Sequence, residues 1–310
     1  MLQRVLTVAL NAYREAVRAR VLLGLAGVAF AVAFYSLVVG SFTLRDAPRV
    51  VADLGAATVS IFSIAVAILI GATSLYRELE MKTILPLLAR PIRRSEYLVG
   101  KFMGTMTVVV VFVMAEAGLV LMMSAVLGGR SVALVLGVAG ALLAALVGGA
   151  IRSHTLRTFA PIPWAVAMLL CGVWLSSVAP LERSLVLSSA VLTTLEVMII
   201  ASLATLFSSF STPFISSLLT VMTIAVGRNA DSLTRLPPKM FGPLISGLGK
   251  KLAVVWPNLH VYVPARPLLT GEAFDTSLPL YVARAGLQSL AWTVGLLAIA
   301  AIIFQRRDFT

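Results

Sequence analysis

The chain has 310 residues, 59% of them hydrophobic and 12% charged, with a mean hydropathy of +0.99 and a net charge of +12. Soluble domains carry about 25% charged residues, so this composition excludes a soluble globular protein and implies a polytopic one with the bilayer as its main solvent. Cytoplasmic loops of membrane proteins collect Lys and Arg, which explains the positive charge without a nucleic-acid partner. Cys171 is the single cysteine, and His154 and His260 are the only histidines. That set allows no internal disulfide and no His/Cys metal cluster. No G-x-x-x-x-G-K-[ST] phosphate loop, G-x-S-x-G elbow or H-E-x-x-H pair occurs, so neither ATPase nor hydrolase chemistry is recognisable and no cofactor is implied.

Residues 2–20 read as an amphipathic helix. Gln3, Arg4, Thr7, Asn11, Arg14, Glu15 and Arg18 fall on one arc of roughly 120°, with apolar residues opposite. Such a helix lies in the membrane interface with its cationic face towards headgroups. The alternative, the n-region of a signal peptide, fails because the apolar run Val21–Val39 exceeds an h-region.

Spans are expected at about 21–40, 54–75, 102–127, 132–151, 162–178, 185–207, 214–226 and 284–304, about eight in all. The basic N-terminal flank places both termini in the cytoplasm. The alternative is about six spans, with 131–181 partly re-entrant. Gly100 and Gly104 form a small-xxx-small pair at the start of the third span, a helix-packing signal. Residues 228–284 are expected outside the cytoplasm. Their prolines exclude one continuous helix, although 241–256 could lie as a short amphipathic helix on the outer surface.

The most charged stretch is 74–104, with six basic and three acidic residues over 76–101. Glu78 and Lys82 stand at i,i+4, in the favourable order for a helical ion pair, which extends the second span as a helix beyond the membrane. Leu85, Leu87, Leu88 and Ile92 are apolar residues in a cytoplasmic loop, grouped around Pro86 and Pro91. Apolar residues rimmed by charge mark an interface. An ordinary loop and an active-site loop are the competing readings. The second lacks a nucleophile or base with an orienting partner.

The run 76–101, YRELEMKTILPLLARPIRRSEYLVGK, resembles the signature of type-2 ABC exporter permeases. It is most like the subgroup containing the copper-processing permease of nitrous-oxide reductase maturation and the gliding-motility permeases. ALNAYREAVR at 9–18 is similar to that group's elbow helix, LATLFSSFSTP at 203–213 to a turn between later spans, and FQRRDF at 304–309 to its C-terminal end. PNLH at 257–260 is similar to an external Pro-Asn-Leu-Glu pattern, with His260 in place of Glu.

The resemblance implies an all-α polytopic permease in the cell membrane, with an N-terminal elbow helix and a cytoplasmic coupling helix. It implies a partner ABC ATPase, pairing of two permease subunits as a homo- or heterodimer, and contact with membrane lipid. Coupling would fall on Arg77, Glu78, Glu80, Lys82, Thr83, Leu85, Leu87, Leu88, Arg90, Arg93 and Arg94. Arg90, Arg93 and Arg94 would pair with the ATPase or with anionic headgroups. The subgroup has six spans, so 131–181 would be an inserted hairpin. ATP hydrolysis would reside on the partner chain. The rival readings are a membrane anchor that uses an ATPase to move or regulate another protein, and a polytopic membrane enzyme.

Glu116 and Glu196 lie near the middle of their spans. A carboxylate at that depth is costly and faces the bundle interior or a wet cavity. Either the two line a translocation path or bind a cationic group, or each sits neutral and bonded to a neighbouring helix. The sequence suggests no basic residue at their depth. Gln288 and the four tryptophans, Trp164, Trp174, Trp256 and Trp292, read as packing or interface anchors.

Overall fold

The structure, a computed structural model, describes residues 2–43, 46–80, 93–235, 242, 244, 246–249, 251, 256–270 and 277–306, with only the backbone at 75–80 and 154. Helices account for nearly all of these residues, and no strand forms among them. In chain order they are α1 (Leu2–Arg18), α2 (Arg20–Ser41), α3 (Ala47–Glu80), α4 (Arg94–Leu127), α5 (Val132–Arg152), α6 (His154–Phe159), α7 (Pro161–Leu175), α8 (Pro180–Ser208), α9 (Pro213–Arg228), α10 (Ala230–Thr234), α11 (Arg266–Thr270) and α12 (Leu278–Arg306).

The helices follow from long apolar runs that satisfy their own backbone groups, as hydrocarbon requires. Prolines open α7, α8 and α9 at the first turn, where the missing N–H costs nothing. Among the described residues, seven helices are long and apolar enough to cross a membrane: α2, α3, α4, α5, α7 with the 3-10 turn that follows it, α8 and α12. The eighth expected span, α9, forms as a helix but has only 16 residues. At about 1.5 Å per residue it reaches about 24 Å, short of a hydrocarbon core of about 30 Å.

The core of the bundle is α3, α4 and α8, packed on one another. Of the span windows, 72% of residues are buried in α4 and α8, against 17% in α2 and 6% in α5. The last two therefore line the periphery, while α7 and α12 flank α4 and α8. Helix ends meet at two levels. Arg94 Nη1 donates to the carbonyls of Phe304 at 3.2 Å and Gln305 at 2.9 Å. At the opposite level Arg130 bonds Leu175 O and Ser177 Oγ, and Ser184 Oγ donates to Leu269 O.

Two close helix crossings rest on glycine. A Cβ on Gly104 would lie 2.5 Å from Ala12 Cβ and 2.6 Å from the Ala9 carbonyl oxygen, so α1 seats directly on the start of α4. The Gly100–Gly104 pair thus receives the N-terminal helix rather than another span. A Cβ on Gly118 would lie 2.6 Å from the Met168 carbonyl carbon, and one on Gly172 would lie 2.7 Å from Gly118 O. This crossing fixes α7 to α4 backbone against backbone.

Of the helix expected at 241–256, within the segment 228–284, half lies outside the described residues, while 242, 244, 246–249 and 251 are helical. The stretch 256–270 folds back over the end of α9. Leu259 is fully buried and its N–H donates to Gly227 O, while Trp256 Nε1 donates to Thr223 O. Tyr262 and Tyr281 hydroxyls and the Gln288 amide tie this segment to α12.

Candidate functional site

Two regions carry the residues expected to function. The first is the charged stretch. Arg77, Glu78 and Glu80 lie on the last turns of α3, which continues as helix past residue 75 as the Glu78–Lys82 spacing predicts. Lys82, Thr83, Leu85, Leu87, Leu88, Arg90 and Ile92 lie outside the described residues. Arg93 is exposed, and its backbone N–H donates to Glu96 Oε2 at 3.2 Å, which caps α4. Arg94 binds the terminal carbonyls of α12, as basic residues do at helix C-termini. Lys101 is buried and pairs with Glu15 of α1 at 3.0 Å.

The second region lies within the bundle. Glu196, fully buried on α8, is bound by Arg228 at the end of α9. Arg228 Nε donates to Oε1 at 2.8 Å and Nη2 to Oε2 at 2.9 Å, a two-point fork. The same Nη2 donates to Ser60 Oγ of α3 at 2.8 Å. One guanidinium therefore ties three helices together.

This corrects the expectation that no basic residue shares the depth of Glu196. Helices α8 and α9 run antiparallel on either side of one tight turn, so both extend away from it on the same side. Glu196 stands 12 residues before Ser208, and Arg228 stands 15 residues after Pro213. At about 1.5 Å per residue these are heights of about 18 and 22 Å, a difference that an arginine side chain spans. Because α9 is short, its last residue stays inside the bundle instead of emerging from it.

Glu116, on α4, differs. It is fully buried, and neither carboxyl oxygen has a hydrogen-bond partner among the described residues. The structure does not bring it together with Glu196 in any hydrogen bond.

Above the Arg228 fork lies a cavity of about 260 Å³ between α3, α8 and residues 262–269. Asp53, Ser60, Thr193, Arg228, Tyr262 and Arg266 contribute to its lining. Arg266 pairs with Asp53 and approaches Glu182 at 3.9 Å, and Arg49 approaches Asp53 at 4.0 Å. Tyr262 donates its hydroxyl to Ala285 O at 3.1 Å, and burial pushes its pKa up to about 12. The chamber thus sets fixed charges of both signs and hydroxyls into an otherwise apolar wall that includes Ile61, Leu185 and Leu269. Such a lining can hold a polar solute, or open where an ion pair parts. Asp53, Ser60, Tyr262 and Arg266 were not singled out in the sequence, because each comes from a different segment and no spacing joins them.

A family model described as ABC-2 family transporter protein matches residues 6–309. The chain belongs to the ABC-2 transporter family. It is a membrane-embedded permease of an ABC transporter, a multi-pass subunit of a class that works with an ABC ATPase and usually assembles as a dimer. Comparison with curated proteins gives no match. Family membership accounts for the long apolar helices.

Proposed function

We propose that the chain is the transmembrane subunit of an ABC exporter, and that residues 76–101 dock it on a separate ATPase subunit. The observation that carries the proposal is the continuity of α3. This 34-residue helix is about 51 Å long and runs from the cavity-lining residues Asp53 and Ser60 to Arg77, Glu78 and Glu80. A rigid helix of that length transmits a displacement at its charged end to the chamber. ATP-driven closure of the ATPase pair would push the knob of Leu85, Leu87 and Leu88 and so move α3 against α8. Arg77, Glu78, Lys82, Thr83 and Arg90 would supply polar contacts around that knob.

In this reading both termini and the 76–101 segment are cytoplasmic, α1 is an interfacial elbow, and 228–284 faces away from the cytoplasm. The arrangement is six spans, one of them the short α9, with 131–181 inserted as a hairpin. The chain pairs with a second permease subunit in the cell membrane, and the copper-processing and gliding-motility permeases are the subgroup that its charged stretch favours. The ion-paired chamber favours export over a purely anchoring role, because an anchor has no use for a cavity bearing charged groups between its core helices.

The test is co-purification of the full chain with its ATPase. Glu78→Lys, Lys82→Glu and Leu87→Asp combined should abolish the complex while leaving the permease monodisperse. Retention of the ATPase by that variant would refute the assignment.

A further inference from the structure

A second cavity, of about 520 Å³, opens on the opposite side of the bundle from the ion-paired chamber, between the end of α1, the start of α2, the end of α5 and α6. Its rim carries three guanidiniums, Arg18, Arg20 and Arg157, all exposed. Its floor is apolar and includes Leu23, Leu146 and Val147. No Asp or Glu lines it among the described residues. The nearest acid on α1, Glu15, is held by Lys101 at 3.0 Å.

The rim is fixed in place. Tyr13 donates its hydroxyl to Thr158 O at 3.1 Å and stacks on Phe159, and the Arg14 guanidinium sits 5.2 Å over the same ring. These contacts fasten α6 to α1 and hold Arg157 across the cleft from Arg18. The walls, α2 and α5, are the two least buried spans, so the groove between them stays open along the bilayer.

We propose that this cleft binds one anionic glycerophospholipid. Its phosphate lies among Arg18, Arg20 and Arg157, and its acyl chain runs between α2 and α5. The ligand chemistry follows from the two-part lining. A hydrocarbon groove continuous with a cationic rim at the ends of α1 and α2 suits an amphiphile with a negative head. Three guanidiniums with no acid beside them among the described lining residues favour a headgroup of net negative charge over a zwitterionic one, whose ammonium they repel. The bound lipid also supplies what the fold lacks here, namely a filling between the elbow and the sparsely packed α5. The inference needs only the bilayer setting that family membership provides, and not the docking of an ATPase.

The experiment uses the full chain in detergent, titrated with phosphatidylglycerol, phosphatidylcholine or inorganic phosphate and read by native mass spectrometry. Wild type should retain one phosphatidylglycerol in preference to phosphatidylcholine. Each Arg→Gln change at 18, 20 or 157 should weaken binding about fivefold, and all three together on the order of 100-fold, as expected for basic groups at a lipid surface. The triple Arg→Lys variant, which keeps the charge, should retain the preference and so exclude misfolding as the cause. Equal retention of phosphatidylcholine, full competition by inorganic phosphate, or a triple Gln variant within twofold of wild type would each overturn the proposal.

Discussion

Replacing one partner of the Arg228–Glu196 fork should cost far more on one side than on the other. In Arg228→Met, Glu196 is left with a fully buried side chain and no counter-ion. At about 4 Å between charge centres and an effective dielectric of about 20, the lost attraction is about 4 kcal/mol. This agrees with about 3–5 kcal/mol for breaking a buried pair from one side. In Glu196→Gln, Arg228 keeps 30% of its side chain exposed and lines the cavity, so water can take up its charge. That cost should be about 1–2 kcal/mol. The double variant removes both charges and should be more stable than Arg228→Met alone. Thermal unfolding in detergent would read these differences, the single Arg228→Met change lowering the midpoint by about 10 °C. If Glu196→Gln costs as much as Arg228→Met, or if the double variant loses the sum of the two, the fork does not hold the bundle in the way argued.

Gly118→Ala drives a methyl to 2.6 Å from the Met168 carbonyl carbon, where the obstacle is backbone and cannot rotate away. A loss of about 1–3 kcal/mol is expected. Gly137→Ala on α5, with nothing within 4 Å of the new atom, should be neutral or better in the same melting assay. Tyr13 sits on α1, where burial pushes its pKa up to about 12, above the value of about 10 expected when unfolded. Its contribution is therefore complete below pH 10 and is lost as the pH rises towards 12. Tyr13→Phe should lose about 1 kcal/mol at neutral pH with the bond to Thr158 O and flatten the fall in stability between pH 10 and 12. An unchanged alkaline slope in both Tyr13→Phe and Tyr262→Phe would refute the buried-phenol account.

The spans were legible because each is a long apolar run with its own backbone bonds satisfied, and α9, although longer than the expected 214–226, is shorter than a crossing requires. The continuation of α3 past residue 75 to Glu80 was legible from the i,i+4 spacing of Glu78 and Lys82, although Lys82 itself lies outside the described residues. Gly100 and Gly104 announced a crossing but not its partner, since small residues permit close approach by any helix. The Arg228 fork was missed for a different reason. Treating Phe214–Val226 as a complete span put Arg228 outside the bundle, whereas counting residues from the 208–213 turn places it level with Glu196. The chamber was not legible at all. Asp53, Tyr262 and Arg266 are ordinary loop or helix-end residues until the return segment 256–270 folds over α9.

The fork also constrains how the bundle can move. Arg228 Nη2 serves Ser60 on α3 and Glu196 on α8 at the same time. Among the described residues, helices α3 and α8 form the most extensive contact, with Gly71 of α3 seated on Ala204 of α8. Packed interfaces of this kind change by discrete steps rather than by continuous sliding. A shift of α3 by one turn, about 5.4 Å, exceeds hydrogen-bond reach, so Arg228 would have to release Ser60 or Glu196. Ser60 is the cheaper loss, because a neutral hydroxyl bond is weaker than the charge-assisted fork. A displacement delivered along α3 would therefore open the Ser60 side of the chamber first, with Arg228 and α9 remaining on α8. Under the proposed coupling, Ser60→Ala lowers the resistance to that step while leaving the ion pair intact. ATPase stimulation should then rise, or at least persist, where Arg228→Met abolishes it. The reverse order would mean that α9 moves with α3 and that the fork is broken rather than spared.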